Sequence, residues 1–168
     1  MKKLTSILLS ALLLLTLAAC GGNGNGENGT GGGNKEAPDL NQYYEDFMAS
    51  LGEENQPAMM DLDADMIGQV YPGLENIQTR QAVLKTAMIS AVACEFALVE
   101  LENESDAQTV ADIFQARIDY QLEAGAYYPM TQESWEQAEI VTQGNVVALI
   151  VIQGEQDRAV EAFNQLFD

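Results

Sequence analysis

The chain has 168 residues, with 7 Lys plus Arg against 26 Asp plus Glu, a formal net charge of -19, 47% hydrophobic residues, two Cys and no His. That length and apolar fraction suit one ordinary globular domain, so wholesale disorder, a coiled coil or a multidomain enzyme fit poorly. The absence of His removes Ser-His-Asp and Cys-His catalysis, together with every His-containing metal site.

Met1-Lys2-Lys3 gives a positive start, and Ile7 to Leu17 is a mostly apolar run of 11 residues. A spanning helix needs about 20 such residues, so this run reads as the core of a signal peptide. It ends in Leu17-Ala18-Ala19-Cys20, which resembles the lipobox of bacterial lipoproteins. The resemblance implies cleavage between Ala19 and Cys20, a diacylglycerol thioether on Cys20, and a lipid-anchored, extracytoplasmic protein at the cell membrane. Loss of residues 1–19 removes Lys2 and Lys3, leaving 5 basic against 26 acidic residues and a charge of -21. Such a surface is repelled by nucleic acid and by anionic headgroups, so no nucleic acid partner is expected. Attachment to the membrane then depends on the lipid at Cys20, where two acyl chains suffice for stable anchoring. Residues 20–37 form the lipidated Cys and a tether. Its stretch from Gly21 to Lys35, rich in Gly and Asn, has no apolar side chain to bury and a root-mean-square span of about 21 Å.

Residues 38–168 are expected to fold as one globular α+β domain. Asp39 can cap a helix with Leu40, Tyr43, Tyr44, Phe47, Met48 and Leu51 at helical spacing, ended by Gly52. A short second helix is expected from about Ala64 to Val70, stopped by Tyr71-Pro72-Gly73. Ala82 to Ile89 and Ala93 to Leu101 read as strands, with helix left open for the first by its Ala and Met content. Ser105 or Asp106 caps a helix with Val110, Ile113, Phe114, Arg117, Ile118 and Gln121 along one stripe. Thr131 can cap a short helix through Glu136, and Gly144-Asn145 signals a hairpin between Glu139–Gln143 and Val146–Gln153. Glu155 to Phe167 closes the chain as a helix. The expectation is a four-stranded, mostly antiparallel sheet in ββαββα order, with helices on one face and one or two further helices before it. Ala97–Leu101 and Ala148–Ile152, 51 positions apart, raise the question of a weak internal duplication.

Ala93-Cys94-Glu95-Phe96-Ala97-Leu98-Val99, then Arg117, Tyr128-Pro129, Ala138, Gly144-Asn145-Val146-Val147 and the last strand resemble the bacterial lipoprotein family known as domain of unknown function 4358. The resemblance runs over roughly residues 40 to 168. It implies a small, anchored extracytoplasmic protein without an assigned activity, and it brings no catalytic residues to carry over. Cys94 adds a thiol that the family pattern does not require.

Several residues have a functional and a structural reading. Asp61, Asp63 and Asp65 open like a calcium loop, but Met66 and Pro72 stand where that loop needs Gly and a bidentate Glu, which favours a helix N-terminus and no metal. With Cys20 lipidated, Cys94 has no disulfide partner and reads as a small buried hydrophobe. Tyr120, Tyr127, Tyr128 and Trp135 either offer a weak aromatic surface for envelope sugars or cover the end of the sheet. Arg117, on an apolar stripe, needs a carboxylate partner, and a structural ion pair with an acid such as Glu95 is expected; an anion site is the rival. Glu133, Glu136 and Glu139, and Glu100, Glu102 and Glu104, resemble the carboxylate pairs of a glycoside hydrolase but read as solvated acid. No catalytic residue and no cofactor is expected. The favoured function is a non-enzymatic binding module at the cell envelope, with another envelope protein or a cation-bearing polymer as partner. The alternatives are an envelope glycan hydrolase using a carboxylate pair and, third, a small solute-binding protein.

Overall fold

A computed structural model describes residues 37–168. The expected signal peptide, the expected cleavage and lipidation site at Ala19 and Cys20, and the expected tether up to residue 36 lie outside the described residues. Asp39 caps helix α1 (Leu40–Ser50), its Oδ1 accepting from the Gln42 N–H at 2.9 Å, and Gly52, at φ 79°, takes the left-handed conformation that ends the turn. Strand β1 (Met59–Asp61) precedes α2 (Ala64–Val70), which Asp63 caps. A 3-10 turn, Leu74–Asn76, leads to the hairpin of β2 (Thr79–Ala87) and β3 (Cys94–Leu101). Helix α3 (Ala107–Tyr120) then runs into a single π-helical turn, Gln121–Gly125. Helix α4 (Pro129–Glu136), the hairpin of β4 (Glu139–Gln143) and β5 (Val146–Ile152), and α5 (Gln156–Asn164) complete the chain.

The architecture is α+β, and the sheet has five strands in the order β1-β2-β3-β5-β4, every neighbouring pair antiparallel. The expected four strands therefore need correction. β1 adds to the edge of β2 through only three register pairs, Met59 with Ala87 to Asp61 with Lys85, too short a segment to show an alternating pattern. β2 is a strand throughout, which closes the helical alternative. Thr131 is also not the cap of α4: Tyr128 holds that position, and the Thr131 hydroxyl donates to the Tyr128 carbonyl at 2.8 Å.

Helices cover both faces of the sheet, not one. Phe96, Leu98, Ala148 and Ile150 face α1 and α5, whereas Ala97, Val99, Val147, Leu149 and Val151 face the layer built from α2, α3 and α4. Central strands sandwiched in this way have no solvent side, and every residue of β3 and β5 is buried. Phe96 packs its ring against those of Tyr43, Tyr44 and Phe47, with centroids 6.4, 5.4 and 5.9 Å away. Complete burial of such a ring contributes about 1.5–3 kcal/mol.

The same pleat rules out a symmetric duplication. Side chains alternate faces along a strand, so an odd offset changes face. At the offset of 51, Ala97 faces α3 while its counterpart Ala148 faces α1 and α5, and the helices that follow the two hairpins lie on opposite sides. A two-fold axis through adjacent antiparallel strands would keep them on the same side.

Candidate functional site

Val110, Phe114 and Ile118 turn one stripe of α3 into the core, and this carries Arg117 toward the sheet. Its guanidinium meets Glu95, near the start of β3, in a two-pronged ion pair: Nε donates to Oε1 at 2.9 Å and Nη2 to Oε2 at 2.7 Å. The Glu95 side chain is 1% exposed and that of Arg117 12%. Two further donors complete the carboxylate. The Tyr71 hydroxyl, just after α2, donates to Oε1 at 2.5 Å, and the Thr86 hydroxyl, opposite Glu95 in the β2–β3 register, donates to Oε2 at 3.1 Å. One buried charge is thus satisfied from α3, β2 and the end of α2, as a carboxylate without solvent requires.

Arg117 also lies over the Trp135 ring of α4, 5.4 Å from its centroid, and with its amide oxygen toward Arg117 the Gln121 side chain accepts from Nη2 at 2.6 Å and Nη1 at 3.0 Å. Gln121 owes its place to the π-helical turn, closed by the Ala126 N–H donating to the Gln121 carbonyl at 2.7 Å. A Cβ at Gly125 would fall 2.0 Å from the end of the Gln121 side-chain amide, so glycine leaves room for that side chain. Burial and then the Glu95 charge push the Tyr71 hydroxyl well above its ordinary range. Burial alone would lower the pKa of Arg117, but the hydrogen bonds and charge of Glu95 outweigh it and raise the value. Both groups hold their protons, and the pair is a fixed neutral unit.

This unit forms the floor of a cavity of about 330 Å³, walled by Ile89, Tyr120, Gln121, Tyr127 and Trp135 among others. The aromatic cluster therefore divides: Trp135 is buried beneath Arg117, while Tyr120, Tyr127 and Tyr128 remain exposed. The sequence pattern marks neither Tyr71 nor Thr86 as a partner of Glu95. Tyr71 reads in the sequence only as a helix stop, and the signal it carries is a bulky phenol placed where burial demands a partner for its hydroxyl.

The other candidates lie elsewhere. Asp61 pairs with Lys85 at 2.5 Å on the β1–β2 edge, Asp63 caps α2, and Asp65 lies in the first turn of α2. Among the described residues no group of three or more His, Cys, Asp or Glu is placed to hold a metal ion, and no helix is long and apolar enough to cross a membrane. Cys94 is buried on the α1 face, and burial followed by the charge of Glu95 raises its thiol to about 12. Glu102, Glu104, Glu133, Glu136 and Glu139 are exposed, but Glu100 is buried and does not belong to a solvated acidic face. It pairs with Arg80 at 3.5 Å and accepts from Gln81 Nε2 at 2.7 Å, while the Gln81 amide also bonds the Pro38 carbonyl and the Leu40 N–H at the start of α1. Buried acid at position 100 thus anchors a helix.

The class of protein defined by this geometry is a small α+β domain, one antiparallel sheet between two helical layers, with a neutral pocket at the start of β3. The family model Domain of unknown function (DUF4358) matches residues 52–152, and the chain belongs to this family. The match runs from the end of α1 to the last residue of β5, so it contains the whole sheet and all four members of the Glu95 network. No curated protein and no solved structure matches the chain.

Proposed function

We propose that the protein is a bacterial lipoprotein, held at the outer face of the cytoplasmic membrane through lipidated Cys20, whose domain is a non-enzymatic binding module with the cavity over Arg117 and Glu95 as its ligand site. The observation that carries the reading is the saturation of that ion pair: its carboxylate accepts four hydrogen bonds. A general acid or nucleophile needs a carboxylate free to take or release a proton or to attack, whereas a saturated pair serves as a rigid wall. The glycan hydrolase alternative needs two carboxyl groups facing each other across the site. The cavity beside Trp135 is lined by a single carboxylate, that of Glu95. The anchor rests on the order of charged start, apolar run and Leu17-Ala18-Ala19-Cys20.

The test places a photo-crosslinking residue at Tyr127 in the chain expressed in bacterial cells, with Cys20→Ser alongside. The expected result is a discrete crosslinked product at the membrane, cleavage before Cys20 with the mass of a diacylglyceryl group, and release of Cys20→Ser from the membrane fraction. A diffuse smear of bulk membrane proteins would remove the binding reading. An unmodified Cys20 would remove the anchor. Release of sugar from cell-wall fragments by the purified chain would replace the module with a hydrolase.

A further inference from the structure

We infer that the cavity over Arg117 and Glu95 docks a basic segment of a partner protein that inserts an uncharged apolar side chain, an inference that rests on the binding-module reading and names the chemistry of its ligand. Large apolar side chains left exposed among the described residues are Met88, Ile89, Tyr120, Leu122, Tyr127, Tyr128 and Met130. They fall in three short stretches of chain, 88–89, 120–122 and 127–130. Each stretch sends one member, Ile89, Tyr120 or Tyr127, into the lining of this same cavity. Exposed apolar groups scattered singly need no explanation, but three separate stretches of chain converging on one pocket mark a contact surface.

Charge decides what approaches it. Lys and Arg number four among residues 37–168, against 24 Asp and Glu. All four, Arg80, Lys85, Arg117 and Arg158, are held in ion pairs. Asp119, Glu123 and Glu133 stand exposed beside the apolar stretches. The field around the pocket is therefore negative, which repels an acidic ligand or a second copy of this chain and steers a basic partner. The lining itself is neutral, because its only charged members neutralise one another. A charged group entering it would lose hydration without gaining a partner, whereas an aliphatic or aromatic side chain gains contact with Ile89, Tyr127 and Trp135.

Trp135 is the single tryptophan of the chain and lines the cavity, so its emission reports occupancy. The lipidated chain in nanodiscs of uncharged lipid is titrated with two short peptides lacking Trp. One carries a Phe between Lys residues and the other a Phe between Glu residues; a neutral N-acetylglucosamine oligomer is the third probe, and empty nanodiscs are the blank. The Lys peptide should shift the emission saturably, more weakly as salt rises, and the Glu peptide should not. Ile89→Ser and Tyr127→Ser, both at exposed positions, should keep the urea midpoint and weaken Lys-peptide binding about tenfold or more. Lys-peptide binding unchanged in both variants, equal binding of the Glu peptide, or no binding of the Lys peptide overturns the inference. So does self-association through the same rim in sedimentation. If the sugar oligomer alone shifts Trp135 in a rim-dependent way, the basic partner is wrong and the module reading stands; that reading falls on its own crosslinking experiment.

Discussion

Removing Arg117 tests whether the neutral unit beneath the pocket is held together as the geometry requires. In Arg117→Met, Glu95 keeps Tyr71 and Thr86 as donors but loses both prongs of the guanidinium while remaining 1% exposed. Breaking a buried pair from one side leaves an uncompensated charge and destabilises by about 3–5 kcal/mol, a large part of the roughly 5–15 kcal/mol that holds a typical domain. Glu95→Gln is milder. Its amide oxygen still accepts from Tyr71, and the guanidinium left behind is 12% exposed and lies at the cavity, so the loss is about 1.5–3 kcal/mol. In the double variant no charge is stranded, and it should be more stable than Arg117→Met alone by about 1 kcal/mol or more. Urea unfolding of the four proteins, read by linear extrapolation, measures the cycle. Arg158→Met serves as control, since its pair with Glu155 is half-exposed on both sides and the charge effect is about 1 kcal/mol or less. The reasoning is refuted if Arg117→Met loses less than about 1 kcal/mol, or if adding Glu95→Gln fails to restore any of the loss.

Phe96→Ala leaves a void among Tyr43, Tyr44 and Phe47 in the middle of the sheet, and should lower stability by about 3–5 kcal/mol in the same urea assay, more than any single change at the exposed rim. Cys94 sets an alkaline limit: its folded pKa is raised from 9.0 to about 12, so the folded chain keeps a proton that the unfolded chain releases. Its contribution is intact below the unfolded value and is lost as pH rises toward the folded one, so wild type should lose stability relative to Cys94→Ala between pH 9 and pH 12; parallel curves would show that the thiol is not desolvated.

Local signals reached some elements and not others for physical reasons. α1 was legible because its buried residues follow the helical period and Asp39 and Gly52 mark its ends. β1 was not, because three residues held by the edge of β2 have no pattern of their own. The covered second face had a signal that the expectation of one helical layer overlooked. Val146 to Ile152 is an unbroken apolar run, and β3 departs from that only at Glu95 and Glu100. A strand with one wet face alternates, so unbroken apolar character implies cover on both sides.

The site shows the same division between what a residue needs and where the need is met. A cation on the apolar stripe of α3 implied an acid partner, and 117 with 95 could be matched without knowing the topology. The remaining donors depend on register and on the path of a turn: Thr86 reaches Glu95 because β2 pairs residue 86 with 95, and Tyr71 because α2 ends under α3, where its ring meets Phe114 at 5.4 Å. Long-range pairing also explains Glu100, which sits in an acidic stretch of sequence yet becomes an anchor once Gln81 is brought across from β2. In a chain with so few cations, those drawn to the buried carboxylates of β3 are committed to structure. On the proposed binding role, selection at the pocket above Arg117 would fall to its apolar walls and to the long-range field of the remaining acids, because its floor has no net charge to offer.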